Sequence, residues 1–462
     1  MRFTIYDLRF ARAAAMPALC LALAFSARGQ ETNGVHSIDL ATALRLAGAN
    51  NLDVRLARER LAEARANQES ATWQFFPWLA PGFAFRAHDN AIQNVEGEII
   101  NVHRDSYTLG PALVAQVDVG DAIYKRLAAR QLAKAAEHAV EAQRQASVAA
   151  AASGYFDLAR AQASVGATRE AARVAEDYAR QVGQAVETGL AFKGDALRAR
   201  TQVERNQFAL QQTQEQQRLA GARLAQTLRL DPAVELAARE DELTPLSLTD
   251  TNAALAALIS QALAARPELR QSVALTEAAK KSASGVRYGP LIPTVGAQVF
   301  VGGLAGGNET SSKGFRDSED YQVTVGWRIG PGGLFDRGRI RAADARLNTA
   351  RLTGDKLHDD IVREVVEAHA RAQSANERLA TIRRGLTAAE EMFRLARERK
   401  EFGVGVVLET IQAEQELTRL RQDYFNTVSE FNQAQYQLLR ATGGLADEPR
   451  AEPSSKPPAR TP

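Results

Sequence analysis

Two carboxylates, Asp195 and Glu409, carry the clearest chemistry that the sequence offers. Each stands six positions after the glycine of a turn, counted from Gly189 in one case and from Gly403 in the other. A carboxylate in the first turn of a helix stabilises the positive end of the helix dipole by about 0.3–1 kcal/mol. The spacing therefore predicts that each acid opens a helix directly after a turn.

No other set of side chains has the spacing of a catalytic or metal-binding site. The histidines are scattered without metal-ligand spacing, at His36, His88, His103, His138, His358 and His369. The single cysteine, Cys20, lies in the N-terminal segment, which excludes disulfides and thiol ligands from a mature chain. No phosphate-binding loop is present, and the glycine-rich stretch 302–307 follows a predicted strand but precedes no helix. We expect no enzymatic activity, no metal and no cofactor.

The chain is a tandem duplication. Glu187-Thr188-Gly189 corresponds to Glu401-Phe402-Gly403, and Asp195-Ala196-Leu197 corresponds to Glu409-Thr410-Ile411, with an offset of 214 residues in both comparisons. Because repeats are assigned before folds, we interpret residues 30–230 and 249–444 as two copies of one unit. Residues 231–248 form the linker between them.

Each repeat is predicted to contain two long helices. Residues 335–402 carry apolar side chains at alternating steps of three and four, which is the pattern of a coiled coil. These side chains are Leu379, Ile382, Leu386, Ala389, Phe393 and Ala396. The first repeat has the equivalent helix at 122–187, and return helices are predicted at 196–229 and 406–441. At 1.5 Å per residue the longest of these helices would extend roughly 100 Å.

Four strands are predicted where the period of hydrophobicity changes from about 3.6 to 2 residues. They cover residues 81–88, 107–119, 294–302 and 321–329, and polar loops at 89–104 and 304–318 join them in pairs. Aromatic residues lie on the apolar faces, namely Phe83, Phe85, Tyr107, Tyr321 and Trp327. This pattern favours an outer-membrane β-barrel with an aromatic girdle, although soluble hairpins alternate in the same way. Since four strands cannot close a barrel, we expect oligomerisation.

The two ends of the chain differ from the repeats. Residues 1–29 combine a basic start, an apolar run at 13–25 and small residues before Gln30, which is typical of a signal peptide. The apolar run is too short for a membrane anchor, and no later stretch would form a membrane helix. Residues 445–462 are rich in proline and charge and are predicted to be disordered. A formal charge of +2 gives no indication of nucleic-acid binding.

The order of these elements resembles the TolC family of outer membrane efflux proteins. The most specific pieces are the turns at 188–195 and 402–409. Also similar are Ala265-Arg266-Pro267-Glu268-Leu269, and Trp327-Arg328-Ile329 followed by Leu334-Phe335-Asp336. The resemblance implies a mainly α protein with a membrane β-barrel part. Three chains would form a twelve-stranded barrel in the outer membrane lipid and a periplasmic α-helical tunnel.

The resemblance also implies partners and site residues. A periplasmic adaptor protein would dock on the two turns, and an inner-membrane transporter would complete the assembly. The docking residues would be Gly189, Leu190, Ala191, Gly403, Val404 and Gly405. The pore and gate residues at the periplasmic tip would be Asp195, Glu409, Gln412, Glu401 and Lys193. Lys400, Gly405 and Gln412 depart from the tyrosine, arginine and acid of some relatives, so the contacts that close the tip would differ here.

Three functions remain open from the sequence. The first is the exit duct of a tripartite efflux system for small molecules, which includes multidrug efflux. The second is the exit duct for type I protein secretion, which would use the same architecture. The third is a secreted structural coiled-coil protein, which would use the same heptads but has no need for amphipathic strands.

Overall fold

The computed structural model describes residues 36–231, 233–239, 243–251, 253–308, 311–401 and 407–446. The predicted signal peptide at residues 1–29 lies outside the described residues. Most of the predicted C-terminal tail lies outside them as well. The prediction that the disordered tail starts at residue 445 is corrected, since Gly444–Ala446 form a short 3-10 helix. The side chain of Leu445 is buried in the main core, which holds this helix in place.

Helices make up most of the described chain, as the mainly α fold class requires. The helices are α1 (Leu40–Asn50), α2 (Leu52–Trp73), α3 (Val119–Glu187), α4 (Lys193–Leu228), α5 (Leu255–Ala265), α6 (Pro267–Tyr288), α7 (Arg337–Glu401) and α8 (Val407–Ala441). The strands are β1 (His36–Ile38), β2 (Trp78–Gln93), β3 (Ile99–Asp118), β4 (Leu236–Ala238), β5 (Thr294–Asn308) and β6 (Ser311–Gly326). With 69 residues in α3 and 65 in α7, each long helix extends roughly 100 Å.

Helix α3 lies at the centre of the helical part. Its buried positions are mostly alanine, and small side chains allow neighbouring helices to approach closely. Helices α2, α4, α6 and α8 all pack against α3, while α5, α6 and α8 pack against α7. Asn51 at the start of α2 donates from Nδ2 to the Thr227 carbonyl near the end of α4, at 3.0 Å. The two shorter helices of the first repeat therefore meet end to end beside the long one.

The segment between the repeats is fastened to the long helices. Strand β4 pairs in parallel with β1, and Gln162 of α3 bonds both the amide and the carbonyl of Ala238. On α8, Asn432 accepts from the Leu246 amide at 2.8 Å and Gln435 accepts from the Thr249 amide at 2.8 Å. Because Asn432 and Gln435 are fully buried, these bonds satisfy groups that would otherwise cost free energy.

The main core lies beside this segment. Tyr155 and Phe156 of α3 contact each other edge to face at 5.7 Å, and Phe156 contacts Tyr436 of α8 at 5.8 Å. Leu224 and Leu228 of α4 are fully buried in the same cluster. Burial raises the pKa of the Tyr436 phenol to about 12. Aromatic packing thus joins the first repeat to the last helix of the second.

A buried ion cluster joins α5, α6 and α7. Arg266 is 3% exposed and contacts Glu268 at 2.6 Å and Glu364 at 2.5 Å. Burial by itself would raise the pKa of Glu268, but its hydrogen bonds and charge contact with Arg266 outweigh this effect and lower that pKa. The cluster lies where α5 ends and α6 begins, with Pro267 in the first helical turn.

The four longer strands form one antiparallel sheet in the order β2-β3-β5-β6. Two predicted loops are corrected here. Residues 89–104 are mostly strand, with a turn at 94–98 around Gly97, whose φ is +90°, and residues 304–318 are also mostly strand. Ladder hydrogen bonds satisfy the backbone whether or not the side chains alternate in polarity, so the strands continue beyond the apolar band that the sequence pattern detects.

The last predicted strand is also corrected. Strand β6 covers Ser311–Gly326, whereas 321–329 was expected. Residues 327–329 leave the ladder because Gly330 takes a φ of +102° and the Leu334 amide donates to the Arg328 carbonyl at 2.8 Å. Of residues 327–329, only Ile329 forms a β-bridge, an isolated parallel one with Leu334.

No helix in the described part of the chain is both long and apolar enough to cross a membrane.

Candidate functional sites at the helical turns and on the sheet

The turn after α3 presents apolar side chains to solvent. Gly189 adopts a φ of +77°, and the Leu190 amide donates to the Ala185 carbonyl at 2.7 Å, which closes the helix end in the manner of a Schellman motif. Leu190 is 84% exposed and Phe192 is 82% exposed. Two adjacent large apolar side chains at an exposed turn are a feature of contact surfaces.

Asp195 lies in the first turn of α4. Its carboxylate contacts the Arg198 guanidinium at 3.2 Å, and its side chain is 23% exposed. Lys193 is the first residue of α4 and is exposed. The structure thus places Asp195 at the positive end of the helix, where the predicted stabilisation of the dipole operates.

The second turn has its own charge pair. Glu409 in the first turn of α8 contacts Arg399 in the last turns of α7, at 2.7 Å, and Gln412 is exposed one turn later. Gly403, Val404 and Gly405 lie outside the described residues, as does the side chain of Glu401. Because Glu409 and Arg399 are both 40% exposed or more, their pair contributes at most about 1 kcal/mol.

Tyr178 of α3 lines one cavity together with Thr410 of α8. Burial raises the pKa of its phenol, the neighbouring Thr410 of α8 offsets part of this effect, and the charge of Asp195 raises the pKa further. Thr410 is the residue after Glu409. The structure therefore brings the starts of α4 and α8 close to the same tyrosine, which the sequence did not suggest.

A buried polar cluster one to two turns further along joins the two hairpins. Glu414 of α8 is 7% exposed, and accepts from Thr418 at 3.0 Å, Gln202 at 3.4 Å and Asn206 at 3.5 Å. Gln415 donates to Gln202 at 2.6 Å. A cavity of about 450 Å³ lies beside the cluster, with Tyr178 and Phe393 in its wall. Sequence reasoning missed Glu414, because its partners on α4 lie more than 200 positions away.

Burial raises the pKa of Glu414, and its three hydrogen bonds only partly offset this effect. The folded state therefore favours the neutral form of Glu414. The contribution of Glu414 to stability is fully present below pH 4.5, the ordinary pKa of a glutamate. This contribution is lost as the pH rises from 4.5 through the raised pKa of the folded protein. We predict that Glu414→Gln raises the free energy of unfolding at neutral pH by about 1 kcal/mol.

Chemical unfolding of the Glu414→Gln protein at pH 5 and pH 8 would test this. The gain should be larger at pH 8. The control is Glu215→Gln, an exposed acid on α4, which should change stability little at either pH. Equal stability of the Glu414→Gln and parent proteins at pH 8 would contradict the prediction.

One face of the sheet is apolar over its helix-proximal part. Outside the part of the β5–β6 ladder beyond the bulge near Gly306, paired residues have numbers of the same parity, for example Phe85 with Tyr107, Val117 with Val295, and Val299 with Tyr321. All odd-numbered residues before the bulge near Gly306 therefore share one face. The exposed apolar residues on this face include Leu79, Phe83, Phe85, Leu109, Leu113, Val301, Tyr321, Val323 and Val325.

The predicted aromatic residues fall on or beside this face. Tyr107 contacts Phe85 at 4.9 Å and Phe83 at 6.3 Å, and Tyr321 is 70% exposed. Trp327 lies just beyond the end of β6, where its indole Nε1 donates to the Leu291 carbonyl at 3.2 Å.

Acid–tyrosine pairs, which the sequence analysis did not single out, occur at equivalent places in both repeats. The Tyr107 hydroxyl donates to Asp105 at 3.0 Å, and the Tyr321 hydroxyl donates to Glu319 at 2.9 Å. Adding the repeat offset of 214 to 105 and 107 gives 319 and 321. The internal duplication alone could have revealed these pairs.

The sheet has two open edges. Strands β2 and β6 each pair on one side only among the described residues, and both strands have 16 residues. Long unpaired edges next to an exposed apolar face favour pairing with another chain.

Comparisons with known proteins agree with this architecture. The family model described as "Outer membrane efflux protein" matches residues 43–228 and 258–444. Protein CyaE of Bordetella pertussis (strain Tohama I) is 27% identical over 324 residues, which cover 69% of this chain and 66% of the relative, just under two thirds of its length.

Two solved structures show the same fold. The CmeC outer membrane channel of Campylobacter jejuni superposes with a TM-score of 0.75 at 17% identity, covering 88% of this chain and 85% of that one. The outer membrane protein VceC of Vibrio cholerae gives a TM-score of 0.71 at 19% identity, covering 87% and 96%. Both comparisons therefore show that this chain shares the overall fold of these two proteins.

Proposed function

This chain belongs to the outer membrane efflux protein family, and from this membership we propose that three copies form one channel through the outer membrane and the periplasm. The channel is the exit duct of a tripartite efflux system for small molecules. It carries cargo passively and catalyses no reaction. The observation that carries the proposal is the sheet, whose apolar face is continuous across all four strands and whose two edges are open.

Closure of a barrel explains both features of the sheet. An unpaired strand edge in lipid costs too much free energy to persist. Pairing β2 of one copy with β6 of the next copy removes both open edges. Three copies supply twelve strands, more than the eight of the smallest membrane barrels. The odd-numbered face then meets outer-membrane lipid, and Phe83, Phe85, Tyr107, Tyr321 and Trp327 supply the girdle.

The helical turns supply the periplasmic tip. Leu190 and Phe192 are exposed there for docking of the periplasmic adaptor, together with Gly189, Ala191 and the turn at 403–405, and the adaptor connects the duct to an inner-membrane transporter. Lys193, Asp195, Glu401, Glu409 and Gln412 form the gate region. A ring of equivalent carboxylates at a constriction concentrates cations and repels anions.

We predict that Glu409→Gln lowers the preference of the channel for cations over anions by about twofold, because a ring of charges is removed from the narrow end. The reversal potential in a KCl gradient across a planar bilayer measures this preference. The exposed acid Glu204 on α4 provides the control variant, Glu204→Gln. A Glu409→Gln channel with the parent reversal potential would remove Glu409 from the pore.

The proposed function is tested by reconstitution and by deletion. The detergent-solubilised protein should run as a trimer and conduct current in planar bilayers, and deletion of its gene should increase sensitivity to toxic small molecules. A monomer without conductance would overturn the proposal. Loss of a secreted protein from the medium with unchanged drug sensitivity would favour protein secretion instead.

A further inference from the structure

The polar face of the sheet carries unpaired arginines near the end that lies far from the helices. Arg86 of β2, Arg104 of β3 and Arg316 of β6 are exposed, and each has an even number, which places it opposite the apolar face. Within the described part of the chain none of the three forms an ion pair.

The acids of this region lie mostly elsewhere. Asp105, Asp317 and Glu319 are odd-numbered and belong to the apolar face, and Glu96 and Glu98 lie in or beside the turn beyond the ladder. In the same half of the polar face the described ladder positions contribute one carboxylate, Asp320. The charge on this face is therefore positive.

The register brings two of the arginines together. Arg104 is paired with His88, and Arg86 is paired with Ser106, so Arg86 and Arg104 are diagonal neighbours, roughly 7–8 Å apart at the backbone. A planar guanidinium binds carboxylate or phosphate groups through two parallel hydrogen bonds. Two such groups within reach of each other match a ligand that carries several negative charges.

The position of these residues along the channel follows from the chain path. Strand β3 leads directly into α3 at Val119, so the turn at 94–98 lies at the end of the sheet farthest from the helical tunnel. Arg86 and Arg104 lie within about ten residues of this turn. Arg316 is the sixth residue of β6, whose first residue, Ser311, is opposite Asn308 of β5.

We propose that Arg86, Arg104 and Arg316 form an anion-binding belt on the inner wall of the barrel near its outer opening, where it attracts cargo that bears carboxylate or phosphate groups. This inference rests on the proposed function, which makes the polar face the inner wall. The belt has the opposite charge to the carboxylates of the periplasmic tip. Because water-filled pores with low-dielectric walls focus the field of such groups, the belt acts on ions that pass through the outer half of the duct.

The test uses the full-length trimer in planar bilayers, with citrate as the probe added from the side of the turn at 94–98. Citrate should block the parent channel, and the double variant Arg86→Gln/Arg104→Gln should need about tenfold more citrate for the same block. The variant should also raise the potassium-to-chloride permeability ratio by about twofold. The control is Arg60→Gln/Arg65→Gln, which removes the same charge from exposed positions on α2.

Further variants keep the test decisive. Arg86→Lys/Arg104→Lys keeps the charge without the planar fork, so it should retain the parent ion preference and lose part of the citrate block. Arg316→Gln changes a different strand and should also weaken the citrate block. This variant provides the test if the double variant fails to insert into the bilayer. A conducting double variant with parent block and parent selectivity would overturn the inference and leave the proposed channel intact. Absence of conductance from the parent protein would instead overturn the proposed function.

Discussion

Arg266→Ala is expected to lower the free energy of unfolding by about 3–5 kcal/mol, which is the range for breaking a buried ion pair from one side. The guanidinium is 3% exposed and contacts both Glu268 and Glu364. Its removal would leave the half-buried carboxylate of Glu268 without the cation that lowers its pKa. The junction between α5 and α6 would then lose its connection to α7.

Chemical unfolding at fixed protein concentration, followed by circular dichroism, measures this loss. The pKa of Glu268 in the folded protein is lowered, so its contribution is present above the ordinary value of 4.5 and is lost as the pH falls through the folded value. The penalty of Arg266→Ala should therefore shrink in acid. Arg270→Ala, an exposed arginine in the first turn of α6, is the matched control. A loss below about 1 kcal/mol at neutral pH would show that the cluster is not a major support of the fold.

Leu190→Ser/Phe192→Ser is expected to abolish transport in cells while leaving the conductance of the purified channel unchanged. Both side chains are more than 80% exposed, and burying each of them at a contact is worth about 1.5–3 kcal/mol. The double variant would therefore weaken adaptor docking by more than about a hundredfold. The consequence in cells would be a sensitivity to toxic compounds equal to that of the deletion strain.

Complementation of a deletion strain and co-purification with the adaptor measure this effect together. The matched control is Val95→Ser/Ile99→Ser, which changes two exposed apolar residues in and directly after the turn at 94–98, 102% and 77% exposed. Full drug resistance in the Leu190→Ser/Phe192→Ser strain would show that the turn after α3 is not a docking surface.

The extent to which the sequence predicts this molecule differs between its parts. The fold class and the family could be inferred because the repeat offset, the three–four periodicity of α7 and the glycine at each turn are local signals. The ends of the strands could not be predicted, since residues 89–93 and 311–318 lack the alternation of apolar and polar residues by which the strands were recognised. Their backbone groups are satisfied by ladder partners rather than by the type of side chain.

Contacts between the repeats were beyond sequence reasoning. The partners of Glu414 lie on α4, and which turn of α8 faces which turn of α4 depends on how two helices pack side by side. Tyr178 is a similar case, because its relation to Asp195 and Thr410 arises only when both hairpins lie together. In contrast, the acid–tyrosine pairs were available from the offset of 214, and comparing polar residues as well as glycines between the repeats would have found them.

The parity of the sheet register restricts how its strands can change in evolution. Inserting or deleting one residue within β2 or β3 would turn every later side chain of that strand onto the opposite face, so arginines would meet lipid and aromatic rings would meet water. Length changes inside the ladders should therefore occur in steps of two. The bulge between Leu304 and Gly306 already absorbs one extra residue, and single-residue length variation among relatives should concentrate there, in the turn at 94–98 and in the connection between β5 and β6.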